Sequence, residues 1–187
     1  MLKITNPATE ETIRELQTDT AATVAQKFER AARAQKEWAK VPLARRLEAI
    51  RKFRGLVESR IEKLAAIMTS EVGKAISQSR NELKGLLPRI DFFLAETERT
   101  LATETVLDDA TQKMREKIVH EPLGVVANIS AWNYPYFVGS NVFVPALLAG
   151  NSVLYKPSEF ASLTGLAIAE LLHESGIPAD AFIPLIG

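Results

Sequence analysis

Asn133, Lys156 and Glu159 stand where a chain of alternating strands and helices can bring a ligand. Asn133 lies between Trp132 and Tyr134-Pro135 at the start of an apolar helical run, while Lys156 and Glu159 flank Pro157-Ser158 at the end of a strand-like run. A carboxamide held rigidly at a strand-to-helix turn can donate to a developing oxyanion, an interaction worth roughly 3 kcal/mol of transition-state stabilisation. Capping the following helix is the commoner use of such an asparagine, and the residues alone leave both roles open. Lys156 brings a cation with three donors and Glu159 a pair of acceptors, a combination suited to the hydroxyls of an adenosine ribose. The same pair would serve equally well as solvated residues around a proline turn. Trp132 could wall a pocket, although an aromatic beside a strand end more often packs in a core.

Other chemistries find less support. Gly124, Gly139 and Gly150 are too scattered to make a phosphate loop, and neither GxGxxG nor GxxxxGK[ST] occurs, so diphosphate binding is unexplained by these residues. The sequence holds no cysteine, which excludes a thiolate nucleophile, a thiolate metal site and a disulfide within it. Its histidines, His120 and His173, have no metal-ligand spacing and are expected at the surface, and no GxSxG elbow is present. With 23 basic and 23 acidic residues there is no global field to gather nucleic acid or an anionic membrane. The start, MLKITNPATEETI, is too polar for a secretory signal, and the longest apolar run, Val142 to Ala149, is far short of a span. A cytoplasmic protein without nucleic-acid, membrane or metal partners is the expectation.

The elements that must position these groups follow from the apolar pattern. Leu2 to Leu16, broken by Asn6-Pro7, suggests a small hairpin. Val24, Phe28, Ala31, Ala34 and Trp38 recur at helical spacing. After Pro42, Leu47 to Val57 and Ile61 to Met68 predict two more helices ending near Val72-Gly73. A fourth is expected over Ile76 to Leu101, kinked or divided at Pro88, whose ring forfeits a backbone hydrogen bond. The segment 105–122 reads as an exposed β-ribbon in need of a partner. From Val125 the order becomes strand (Val125 to Ile129), helix (Val138 to Leu148), strand (Ser152 to Lys156), helix (Leu163 to Glu174) and strand (Phe182 to Ile186). Such an order predicts an α/β fold, the first part of a doubly wound parallel, Rossmann-like sheet behind amino-terminal helices. Ligands in such sheets sit beyond the carboxyl ends of the strands, which here are Ser130 to Asn133 and Lys156 to Glu159. The far edge of the last strand would need pairing or cover.

The stretches PLGVVANISAWNYP and PALLAGNSVLYKPSE, followed by SLTGLAIAELLHESGIP and preceded by EWAKVPLARRLEAIRKF, closely resemble the aldehyde dehydrogenase family. The resemblance implies that Asn133 is the side-chain donor of an oxyanion hole for the adduct of an aldehyde. It implies that Ile129, Ser130, Ala131 and Trp132 lie along the nicotinamide half of NAD or NADP, with Lys156, Ser158 and Glu159 around the adenosine ribose. It likewise implies a homo-oligomer built through the 105–122 ribbon. Ala131 departs from the proline usual at its position, which removes a restriction on the backbone before Trp132. The family's cysteine nucleophile, its glutamate base and its glycine-rich turn are all expected beyond Gly187. On this reading residues 1–104 are a hairpin and the helical part, 105–122 the ribbon, and 123–187 the first part of an NAD(P)-binding domain. The parent enzyme would oxidise an aldehyde to a carboxylic acid, and the 187 residues alone would not. Glu159 would repel a 2'-phosphate, tilting the cofactor toward NAD with NADP still open. The alternative is a non-catalytic oligomerisation or binding module, or a truncated remnant.

Overall fold

The computed structural model describes all 187 residues. A hairpin of β1 (Leu2–Thr5) and β2 (Thr12–Leu16) leads into the helices α1 (Ala21–Trp38), α2 (Leu43–Ser59), α3 (Ile61–Val72) and α4 (Ile76–Leu101). The antiparallel ribbon of β3 (Glu104–Asp109) and β4 (Met114–Ile118) follows. The chain then runs through β5 (Val125–Ile129), α5 (Pro135–Leu148), β6 (Ser152–Lys156), α6 (Ser162–Glu174) and β7 (Phe182–Pro184), with a 3-10 turn at Glu159–Ala161. The last three strands form a parallel sheet in the order β5-β6-β7. The expected α/β fold is therefore present.

Local chemistry accounts for the element ends. At the start of α1, Thr20 Oγ accepts from the Thr23 N–H (3.2 Å) and Thr23 Oγ accepts from the Thr20 N–H (2.8 Å), a reciprocal cap. The α3 helix stops at Gly73, whose φ of +76° is open to glycine at little cost. There a Cβ would also lie 2.7 Å from Pro7 Cγ, so the β1–β2 turn closes onto the α3 end.

The sheet is covered on both faces. Val153, Tyr155 and Phe182 join Phe53, Ile90, Phe143 and Leu172 in one large core, while Leu154 and Ile183 pack on Ala31 of α1. Burial on both faces is why Val153, Leu154 and Tyr155 follow one another without a polar residue between them. The same core draws in Leu64, Met68, Leu83 and Leu86 from α3 and α4, so the helical part is bolted to the sheet.

Several expectations are corrected. The α4 helix is not divided at Pro88: it runs from Ile76 to Leu101 with the exposed proline inside it, and Leu83, Leu86, Leu87 and Ile90 are buried on either side of the ring. The α5 helix begins at Pro135 and not at Val138, since proline suits the first helical position. The β7 strand ends at Pro184, although Leu185 N–H still reaches Tyr155 O (2.8 Å) and Ile186 N–H reaches Asp19 Oδ2 (2.8 Å). His173 is half-buried, its Nε2 2.9 Å from Phe182 O, so it ties α6 to β7 and is not a free surface residue. Phe28, on the predicted inner stripe of α1, is 51% exposed. No helix is long and apolar enough to cross a membrane.

Candidate functional site

The parallel register sets Ile129 opposite Lys156, and one residue later the Ser130 N–H donates to Lys156 O (2.9 Å). Both turns, 130–133 and 156–159, therefore leave the sheet side by side at its carboxyl edge. Strand alternation carries past the end of β5: Asn128 and Ser130 are buried, whereas Ile129 is 82% exposed. Asn128 Nδ2 donates to Gly139 O (2.9 Å), and the Ser130 hydroxyl is turned inward toward the Tyr155 ring and Gly139, away from the crevice. Burial pushes the Tyr155 hydroxyl up to about 12, so it stays protonated.

Two hollows flank the crevice and share a wall. One, of about 310 Å³, is lined by Val72, Gly73, Lys74, Gln78, Trp132, Asn133 and Tyr134. The other, of about 590 Å³, is lined by the β1–β2 hairpin, Glu71, Val72, Trp132, Glu159 and Phe160. Trp132, 53% exposed, belongs to both, as does Val72, so Asn133 and Glu159 open onto neighbouring spaces and not onto opposite surfaces. Lys156 lines neither hollow. Its Nζ turns back to Pro157 O (2.6 Å), so in this arrangement the ammonium braces its own turn. Ser158 Oγ accepts from the Phe160 N–H (3.3 Å) and donates to Glu159 Oε2 (3.0 Å). Hydrogen bonds from its own N–H and from Ser158, with Lys156 nearby, hold the Glu159 carboxyl below the usual range.

Asn133 does not cap α5. That helix starts from Tyr134 without a side-chain cap, and its first free N–H groups are taken from a distance. Glu82 of α4 accepts from Tyr136 N–H (2.9 Å) and Phe137 N–H (3.2 Å) through Oε1, and its Oε2 pairs with Lys74 Nζ (2.6 Å). Lys74 Nζ also donates to Asn133 O (2.8 Å) and sits 3.7 Å from the Tyr134 ring centroid. The carboxamide of Asn133 is left exposed and uncommitted on a backbone that is held. The other helix of the sheet repeats the device. Glu71, at the end of α3, accepts from Leu163 N–H (2.8 Å), Thr164 N–H (2.5 Å) and Thr164 Oγ (2.5 Å) at the start of α6. Burial pushes the Glu71 carboxyl up, against the pull of these donors.

Sequence reasoning did not single out Glu71, Lys74 or Glu82. A signal was present. Glu82 falls in helical register with buried Ser79, Leu83, Leu86 and Ile90, and Glu71 with Leu64 and Met68. A carboxylate on an apolar stripe must find donors inside the fold.

Residues 1–187, the whole chain, match the profile of the Aldehyde dehydrogenase family. The chain belongs to this family. It is 36% identical over 159 residues to the N-succinylglutamate 5-semialdehyde dehydrogenase of Novosphingobium aromaticivorans, a match over 84% of this chain and 33% of that protein. Among solved structures, an NADP-dependent enzyme of E. coli superposes with a TM-score of 0.92 at 27% identity, over 100% of this chain and 38% of the other. A Sinorhizobium meliloti protein complexed with NAD gives a TM-score of 0.92 at 28% identity, over 99% of this chain and 37% of the other. The chain thus spans about a third of the length of the curated relatives it matches.

The residues present fit part of a dinucleotide. Exposed Ile129 and Trp132 offer apolar surface at the strand ends, and Glu159 offers acceptors to hydroxyl groups. The diphosphate is different. Helix N-termini are the usual anion sites of such sheets, and Glu82 and Glu71 already occupy those of α5 and α6.

Proposed function

We propose that these residues form the amino-terminal third of an NAD(P)-dependent aldehyde dehydrogenase that oxidises an aldehyde to a carboxylic acid in the cytoplasm. Segment 123–187 is the first part of its cofactor domain, and the 105–122 ribbon joins copies into a homo-oligomer. The observation that carries the reading is the shared wall: Trp132 stands between the hollow that contains Asn133 and the one that contains Glu159. In this role the Asn133 amide N–H donates to the oxyanion that grows as a nucleophile adds to the aldehyde. Ile129, Ser130, Ala131 and Trp132 line the nicotinamide side, Ser130 and Ala131 through their backbone. Lys156, Ser158 and Glu159 hold the adenosine ribose, with Lys156 swinging off Pro157 O to do so. NAD(P), when bound, accepts the hydride. An ionised Glu159 favours a free 2'-hydroxyl over a 2'-phosphate, hence NAD over NADP. The exposed apolar residues Val106, Met114, Ile118 and Val119 support the ribbon's role as an interface.

The test is an NMR titration of the 187-residue chain with NAD. Shifts confined to 129–133 and 156–159, saturating in the millimolar range because no group here holds the diphosphate, are the expected result. Micromolar affinity by calorimetry, or shifts elsewhere, would overturn the reading. With no thiol to attack the carbonyl, the same sample is expected to release no NADH from a panel of aldehydes.

A further inference from the structure

The corner between α3 and α4 carries Glu71, Lys74 and Glu82, and each reaches a different part of the crevice. Glu71 holds the first turn of α6, which follows directly on the 156–159 turn and its 3-10 continuation. Lys74 holds the backbone carbonyl of Asn133, and Glu82 holds the next turn at Tyr136 and Phe137. Between the turns themselves the bond is the strand-end one from Ser130 N–H to Lys156 O, and behind them the Tyr136 side chain approaches Thr164. The Lys74 and Glu82 side chains are 9% and 0% exposed. A buried ion pair is a poor source of net stability, but removing one partner is costly because the other charge is left buried and unpaired. The corner itself is braced from behind by Gly73 against Pro7 and by Thr69 Oγ against Ser79 Oγ (2.9 Å).

We propose that Glu71, Lys74 and Glu82 are positioning residues: one rigid corner sets the spacing between the Asn133 half and the Lys156–Glu159 half of the site. The inference rests on the reading of these two turns as halves of one cofactor site. It assigns the acidic residues a role apart from substrate, cofactor or proton transfer. Loss of Glu71 frees the ribose side and leaves the Asn133 side in place, and loss of Lys74 or Glu82 does the reverse.

Hydrogen exchange resolved by residue tests this on the 187-residue chain. In Glu82→Ala, exchange at Tyr136 and Phe137 is expected to rise about tenfold or more, the factor that follows from a buried N–H left without its acceptor. Leu163, Thr164 and the β6 amides should keep their protection. In Glu71→Ala the pattern should invert, with Leu163 and Thr164 released and Tyr136 and Phe137 unchanged. If an alanine variant does not fold, Glu82→Met and Glu71→Met, which remove the acceptors at similar volume, are read in the same way. A merely structural role predicts a uniform rise that includes β6; that result, or no change at the target amides, overturns the proposal. An NAD titration of each variant separates the two readings. Local release with NAD-induced shifts lost only on the loosened side supports both. Local release in variants of a chain that shows no such shifts upholds the mechanical corner and counts against the cofactor site.

Discussion

Gly165, in the first turns of α6, lets that helix lie against Pro157 at the root of the Lys156–Glu159 turn. A Cβ built there would lie 2.6 Å from both Cβ and Cγ of Pro157 and 3.3 Å from Tyr155 Cε1. Glycine to alanine in a helix interior normally gains up to about 1 kcal/mol. Here the blocking atoms belong to a ring fused to the backbone and to a buried tyrosine, so neither can swing aside, and overpacking of this kind costs about 1–3 kcal/mol. Gly165→Ala is therefore expected to lose about 1–2 kcal/mol net, a fall in Tm of about 2–8 °C for a chain of this length. Gly55 supplies the control. It lies in α2 with no atom within 4 Å of its would-be Cβ, so Gly55→Ala should gain about 0.5–1 kcal/mol and raise Tm by about 1–4 °C. Paired calorimetric melts give the comparison. If Gly165→Ala melts at or above the parent chain, the close approach of α6 to the 157 ring is not what fixes that turn.

Two further predictions concern pH. Burial raises the Asp19 carboxyl, but bonds from Lys27 Nζ (2.7 Å), Ile186 N–H (2.8 Å) and Thr23 Oγ (2.9 Å) outweigh it and leave the value lowered. Its contribution is then present above the ordinary 3.8 and is lost as pH falls through the lowered value, so Asp19→Asn should flatten the acid side of a Tm–pH curve; an unchanged slope refutes this. Glu71 has the opposite sign: its raised value means that stability is fullest below 4.5 and declines as pH climbs through the folded value. Glu71→Gln should therefore gain on the parent in melts taken at increasing pH above 4.5, and a pH-independent difference between the two would count against a buried ionising carboxyl.

What was legible in the sequence is what two-sided burial and periodicity write plainly. Ser152 to Lys156 is legible because β6 is buried on both faces, whereas Val125 to Ile129 matches its observed bounds as a β-branched run between turn residues although only Asn128 in it is buried. The placement of the 130–133 and 156–159 turns at one edge followed from strand order alone. The division expected at Pro88 does not occur, because a ring's local cost is fixed while the packing that outweighs it, from residues up to five positions away, is tertiary. At Asn133 the capping alternative fails for a related reason. A helix start appeared to need a local cap, and the cap came from Glu82, more than fifty residues earlier in the chain. No local pattern marks such a partner, although its place on an apolar stripe marks that some partner must exist.

The two capping glutamates bear on the electrostatics of the whole crevice. A helix N-terminus carries roughly half a positive charge, and a carboxylate set on it more than cancels that field. Lys74 restores neutrality at Glu82, but Glu71 has no cation within ion-pairing reach. The larger hollow is thus faced by Glu71 and Glu159, with Lys3 the one cation in its lining and Lys156 close to Glu159 outside it. An anionic group has little to gain there, whereas hydroxyl groups find acceptors already held in place by backbone and Ser158 donors. On the proposed reading this balance favours a sugar over a phosphate in that space, and with it a free 2'-hydroxyl over a 2'-phosphate. On the same reading the charge of the diphosphate falls to groups other than the two helix ends nearest the strands, which Glu82 and Glu71 already occupy.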